Sequence, residues 1–406
     1  MNTATDIHAL TASLPELRLK RGEDRRLSGG HLWVFSNEVD TALTPLTAFE
    51  PGALCQVVSD RGKFLGCGYV NPHALICARI LSRDPGQLPG GALIVQRLQV
   101  ALSLRRALYE RPYYRLIYGE SDGLPGLVLD RFGDIVVGQI ATAGMEALKT
   151  EIQEAVTKVI APAAMLWKND GGSRDLESLP RYVEAAFGEV PEVIAVEEGG
   201  ITFQVPVREG QKTGWFFDQA ANRLALRKYA GGARVLDVFS YLGAWGLGAL
   251  RAGATEATCV DSSAGALDAL LATAKANGLK PAVIKGDAFD VLESLHQQGR
   301  RFDVVVIDPP AFIKRKKDAA KGEAAYKRLI QLAMQLLDRD GILVSCSCSY
   351  HLDPGSLVNA IQRAARHVNR FVQIVEVGGQ APDHPMHPAI AETRYLKAFF
   401  CRAVQE

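Results

Sequence analysis

With 406 residues, 48% of them apolar and 22% charged, and a formal net charge of +1, the chain has the composition of a globular protein of two or three domains. So balanced a charge excludes a global basic field, and a polyanionic partner would have to be met by local patches. No apolar run approaches the roughly 20 residues of a membrane span, no basic-then-apolar leader is present, and the seven cysteines form no CxxC pair; the expectation is a cytoplasmic protein without membrane anchor, zinc site or disulfide framework.

Residues 1–14 read as a loosely held tail. Short β-type runs follow from Leu17 to about Arg83, punctuated by Gly, Asp and Pro as in Ser59-Asp-Arg-Gly62, which predicts a small barrel-like β module. Its first turn is basic, with Arg18, Lys20, Arg21, Arg25 and Arg26, and precedes an exposed-looking His31-Leu-Trp-Val-Phe35. Cations beside aromatics can grip an RNA backbone and stack on bases; a solvated charged hairpin over core aromatics has the same composition. After a linker at 85–91, a helix from about Ala92 to Glu110, strands near 115–118, 127–130 and 135–140, a helix over 145–160 and a strand at 165–168 predict a second, α+β unit ending near Gly188. Its polar turns read as connective scaffold.

The segment Gly210-Gln-Lys-Thr-Gly214 leads to Asp218, Gln219 and Arg223 at the start of a helix. A carboxylate there can cap the helix, and exposed backbone N–H groups can meet a ligand. The stretch from Val235 to Pro310 then alternates strand and helix. Four strand ends carry an acid: Asp237, Asp261, Asp287 and Asp308. This predicts an open, mostly parallel α/β sheet, in which ligands bind outside the carboxyl ends of the strands. Asp261, placed 24 residues after Asp237, suits the two hydroxyls of a ribose.

The turn Phe239-Ser240-Tyr-Leu-Gly243 lacks the GxGxxG fingerprint, and no P-loop is present. Asp237 would repel a pyrophosphate and favours a cofactor with a cationic end. S-adenosylmethionine fits, with its amino-acid end at the first turn, its ribose at Asp261 and its adenine amine at Asp287. Asp308-Pro-Pro310 sets a carboxylate on a stiff backbone, suited to the edge of a planar base. Beyond the next strand, Cys348 offers a thiolate for covalent catalysis, with Cys346 expected to be buried on the same face. From Arg300 to Arg328 nine Lys/Arg stand against four Asp/Glu, and Lys314, Arg315, Lys316 and Lys317 could hold phosphates near the reacting group.

At these residues the chain resembles the bacterial large-subunit ribosomal RNA cytosine-C5 methyltransferases of the RlmI type. The matching motifs are Gly210–Gly214 with Asp218-Gln219 and Arg223, Val235–Ser240 with Gly243, Asp308–Phe312, Ser347-Cys-Ser349 and Tyr395-Leu-Lys397. The resemblance implies a PUA-like RNA-binding barrel over 15–85, a central α+β domain over 92–190, and a class I, Rossmann-like methyltransferase with a seven-stranded mixed sheet over 200–406. It implies Cys348 as nucleophile and Asp308 as the group that orients the cytosine. Gln219, Arg223, Asp237, Asp261 and Asp287 would surround the cofactor, with Phe239, Ser240, Gly243 and Ala288 as further contacts. Ribosomal RNA is the implied partner, and a homodimer is left open. Two alternatives stand beside it: a methyltransferase acting on a guanine nitrogen without a thiol, and an RNA-binding assembly factor.

Overall fold

The computed structural model describes residues 11–406; most of the expected N-terminal tail lies outside the described residues. The chain divides into two compact units. The first runs to Glu192 and also includes Val207–Trp215 and Asp383–Thr393; the second comprises Val193–Pro206, Phe216–Pro382 and Arg394–Glu406. Among the described residues no helix is long and apolar enough to cross a membrane.

Unit 1 contains two five-stranded sheets. In the first, β1 (Glu16–Arg18), β2 (Trp33–Phe35), β3 (Leu54–Val58), β4 (Phe64–Val70) and β5 (Ile76–Ser82) are ordered β1-β3-β4-β5-β2. Leu17, Val34, Val57, Val70, Cys77 and Ile80 form its core. Strands β4 and β5 approach so closely that a Cβ on Gly68 would fall 1.8 Å from the Arg79 carbonyl oxygen, so only glycine fits there. The stretch His31–Phe35 is not the exposed surface expected from its composition. His31 is 7% exposed, and burial with Arg26 beside it pushes its pKa down to about 4. The Trp33 indole donates to Glu120 at 2.9 Å.

The second sheet comprises β6 (Tyr113–Tyr118), β7 (Leu127–Phe132), β8 (Ile135–Ile140), β9 (Ala164–Asn169) and β10 (Tyr182–Phe187), ordered β10-β9-β8-β7-β6. Helices Gly91–Leu108 and Lys149–Ile160 cover it through Leu98, Leu102, Ile152 and Val156. The single helix expected over 145–160 is two, Ala143–Ala147 and Lys149–Ile160, with a break at Leu148. Arg105 is fully buried and holds Asp122 bidentately at 2.7 Å, while also donating to the carbonyls of Arg115 (2.9 Å) and Asp383 (2.8 Å).

Unit 2 opens with the hairpin β11 (Val193–Glu198) and β12 (Ile201–Pro206). Its main sheet contains β13 (Arg234–Val238), β14 (Glu256–Asp261), β15 (Ala282–Lys285), β16 (Phe302–Ile307), β17 (Leu337–Ser347), β18 (Arg370–Gly379) and β19 (Lys397–Gln405), in the order β15-β14-β13-β16-β17-β19-β18. The first five strands are parallel, and β19 runs antiparallel to both neighbours. Alternate residues feed two cores, as strand geometry requires. Leu236, Val238, Val305 and Ile307 face the helices Ala288–Gln297, Ala319–Leu336 and Pro354–His367. Val235, Val304, Val306 and Val344 face Ala220–Ala230 and Ala244–Arg251. Burial on both faces explains the near-continuous apolar runs of β13 and β16. Strand order reverses between β13 and β16, which opens a crevice at their carboxyl ends.

Replacing Arg105 by Met leaves Asp122 buried without its cation. Loss of about 3 kcal/mol or more of unfolding free energy is expected, measured as a lower urea midpoint with unchanged slope.

Candidate active site

The carboxyl ends of β13, β14, β16 and β17 bring the candidate residues of unit 2 to one rim. After β13 the backbone doubles back sharply, with positive φ at Phe239 (65°), Tyr241 (48°) and Gly243 (75°). Non-glycine residues rarely adopt such angles, so strain concentrates in this turn, as it does at ligand-holding loops. The turn is pinned by Ser240 N donating to the Val260 carbonyl (3.0 Å) and Gly243 N donating to the Ser240 carbonyl (2.7 Å). Tyr241 N donates to Asp261 (2.8 Å). A Cβ on Gly246 would lie 2.5 Å from Cys259 Sγ of β14, so helix Ala244–Arg251 can approach the sheet this closely only with glycine there.

Asp237 is fully buried. Its Oδ2 accepts from Gly246 N at 2.9 Å, whereas Oδ1 has no hydrogen-bond partner in the structure. Burial pushes its pKa up to about 7; the Gly246 N–H opposes that rise, and Asp308 and Asp261 add to it. Ser240 Oγ is likewise buried and without a partner. Asp261, half-buried, accepts from Tyr241 N and from Ser263 N (2.9 Å). Asp287 is exposed and caps helix Ala288–Gln297 by accepting from Phe289 N (2.9 Å). Ala288 is buried at the first position of that helix.

Asp308 stands one residue beyond β16. Gln219 Nε2 donates to one of its oxygens at 2.9 Å and Trp245 Nε1 to the other at 3.2 Å. Desolvation nonetheless raises its pKa to about 6, with Asp218 adding to the rise and Arg223 opposing it. Gln219 is fixed in turn by Asn222, which donates to its Oε1 at 2.6 Å. Arg223 is buried and directs its guanidinium to Glu198 (2.6 Å) and the Phe216 carbonyl (2.9 Å). It therefore ties hairpin β11–β12 to the site.

Strand β17 ends at Ser347, and the two cysteines near its end part company. Cys346 is fully buried, and desolvation holds its thiol well above the usual range. Cys348, past the strand, is half-buried, with Sγ 4.0 Å from the Pro309 carbonyl oxygen. Behind it the Tyr326 hydroxyl bonds Ser347 (2.9 Å) and Ser349 (3.0 Å), and the Phe312 ring lies 4.8 Å from the Tyr326 ring and 6.4 Å from Phe239. Sequence reasoning passed over Trp245, which reads as one more residue of a small-residue turn. The available signal was that a buried indole N–H needs an acceptor.

The cationic candidates divide by environment. Lys314, Arg315, Lys316 and Lys317 are all exposed around the short 3-10 turn Lys316–Asp318. In unit 1, Arg21 and Arg25 are exposed, while Arg18 bonds Glu16 (2.8 Å) and Lys20 bonds the Asn37 carbonyl (2.8 Å).

Residues 164–402 match the S-adenosylmethionine-dependent methyltransferase family and residues 17–83 match a PUA-like domain. Fold and site thus define an S-adenosylmethionine-dependent methyltransferase carrying a PUA-like module. The chain is 36% identical to a protein of Klebsiella pneumoniae named ribosomal RNA large subunit methyltransferase I, over 97% of this chain and all of that one. It is 36% identical to the protein of the same name from Photobacterium profundum, over 94% and 98% of the two chains. The chain belongs to this family. Among solved structures, a methyltransferase from Streptococcus mutans shares the fold at a TM-score of 0.80 and 22% identity, covering 96% of this chain and 100% of that one.

The residues present fit the cofactor. The partnerless Asp237 oxygen and Ser240 hydroxyl would accept from a cationic, amine-bearing end, and Asp261 retains lone pairs that would meet hydroxyls. Since Asp237 titrates near pH 7, it is ionised above that pH and neutral below. Affinity for the ammonium-bearing product S-adenosylhomocysteine is expected to be about tenfold weaker at pH 6 than at pH 8. Asp237→Asn should bind weakly at both, a comparison made by calorimetric titration.

Proposed function

We propose that this protein methylates carbon 5 of a cytosine in large-subunit ribosomal RNA, with Cys348 as a covalent nucleophile. The observation that carries the thiol mechanism is the contrast at the end of β17: Cys346 is sealed in the core, and Cys348 stands half-exposed past the last strand residue. Family membership supports RNA as substrate, because the relatives are named as ribosomal RNA methyltransferases.

Carbon 5 of cytosine is too weak a nucleophile to react unaided. The Cys348 thiolate adds to carbon 6, and the electron pair displaced from the double bond makes carbon 5 nucleophilic. Asp308, with its pKa near 6, can hold a proton at ring nitrogen 3, where charge builds as the thiolate adds. The bound cofactor supplies the electrophilic methyl group. Loss of the carbon 5 proton then returns its electron pair to the ring, and the bond to sulfur breaks, freeing Cys348.

RNA is gripped in this reading by the exposed cations Lys314, Arg315, Lys316 and Lys317 and by Arg21 and Arg25. In unit 1, a cavity of about 810 Å³ is lined by Trp33, Arg79, Tyr118, Lys168 and Lys212, among others. Its rings suit stacking on unpaired bases, while Arg79 and Lys168 are paired there with Glu177 and Asp170.

Incubation of the protein with ribosomal RNA and methyl-labelled S-adenosylmethionine, followed by nucleoside analysis, is expected to yield labelled 5-methylcytidine. Cys348→Ala should abolish that product, and Asp308→Asn should lower its rate by about 100-fold or more. Label in a methylated guanosine, or full activity in Cys348→Ala, would overturn the thiol mechanism.

A further inference from the structure

Lysine is rarely buried unless its charge has a partner. Lys397 is 7% exposed. It opens β19 in register with Ser347, the last residue of β17. Its ammonium donates to the Ser349 carbonyl at 2.6 Å and to the Tyr395 carbonyl at 2.7 Å. The chain position opposite Lys397 and the carbonyl it grips thus bracket Cys348 on either side. An ammonium has three donors, so one remains after the two carbonyls.

Clamping two carbonyls requires donors but no charge, and burying a full charge is costly. Among the described residues Lys397 forms no ion pair with a carboxylate. Burial lowers its pKa to about 8; the anionic forms of Cys348 and Asp353 oppose that fall, and Arg394 adds to it. The ammonium is therefore charged at neutral pH. Titratable groups near the thiol include the buried Tyr326 hydroxyl and Cys346, with Asp308 beyond Cys346. All of these are neutral or negative and would disfavour a thiolate.

We propose that Lys397 is a positioning residue whose buried ammonium stabilises the Cys348 thiolate, a role that rests on Cys348 being the nucleophile proposed above. No bond is added to the reaction: the thiol proton leaves to solvent before the thiolate adds to carbon 6. A neighbouring cation lowers the pKa of such a group by about one to two units, and Lys397 bonds the carbonyl of the residue next to Cys348.

The test is the pH profile of iodoacetamide alkylation at Cys348 in the full-length protein, followed by peptide mass spectrometry. The six other cysteines are buried and serve as internal controls of folding. Lys397→Gln keeps a donor and removes the charge; its alkylation midpoint should rise by about one unit or more. Lys397→Arg should keep the midpoint near the parent value. In methyl transfer at pH 7, Lys397→Gln should lose at least about tenfold in kcat, with KM for RNA unchanged and part of the rate recovered at higher pH. An unchanged midpoint in folded Lys397→Gln would overturn the proposal. If that variant does not fold, Lys397→Met is read by the same profile. Because alkylation needs no turnover, methylation that survives Cys348→Ala would overturn the nucleophile and leave the Lys397 measurement interpretable.

Discussion

The Asp308 carboxylate is held from two directions, by Gln219 at the head of one helix and by Trp245 in the first turn of another. This pair of hydrogen bonds fixes the segment after β16 against the segments before and after β13. Acids crowd this rim. Asp308 and Asp261 add to the raised pKa of Asp237, Asp218 adds to that of Asp308, and the buried Arg223 offsets part of the repulsion. Such an arrangement is strained without a further positive charge. A cofactor with a cationic amine and sulfonium, bound at this rim, would supply that charge.

The sheet makes that crowding possible at all. Apolar residues on both faces of β13 and β16 anchor the strands in two cores, and the polar residues are left to their carboxyl ends. Asp237 is the exception, since it sits within β13 and faces helix Ala244–Arg251, where Gly246 gives it both room and an N–H. At the other side of the rim, β17 and β19 run antiparallel, which lets a residue distant in sequence, Lys397, reach the carbonyl after Cys348.

Much of this was legible beforehand. Acids recurring at strand ends, the absence of phosphate-binding glycines and the alternation of strand and helix pointed to the cofactor class and to an open, mostly parallel sheet. The legible part is that which depends on period and spacing. Arg223 illustrates the limit. Its place near the site was foreseen from its motif, but its partner Glu198 lies on a hairpin 25 positions away, and no local pattern announces that pairing. The stretch His31–Phe35 failed for a similar reason. Basic and aromatic neighbours are compatible with an exposed strand and a packed one alike, and the hold of Glu38 on Arg26 and of Glu120 on Trp33 appears only in the fold.

By itself the sequence determined the alternation of strands and helices, the chemistry available at each strand end and the candidate thiol, because these follow from residue type and periodicity along the chain. Tertiary structure alone decided which groups meet. It paired Trp245 and Gln219 across Asp308, buried Cys346 while leaving Cys348 at the surface of the rim, and enclosed Lys397 beside it. Burial and desolvation, which set how readily each acid, thiol or amine holds its charge, arise only when distant segments exclude water together.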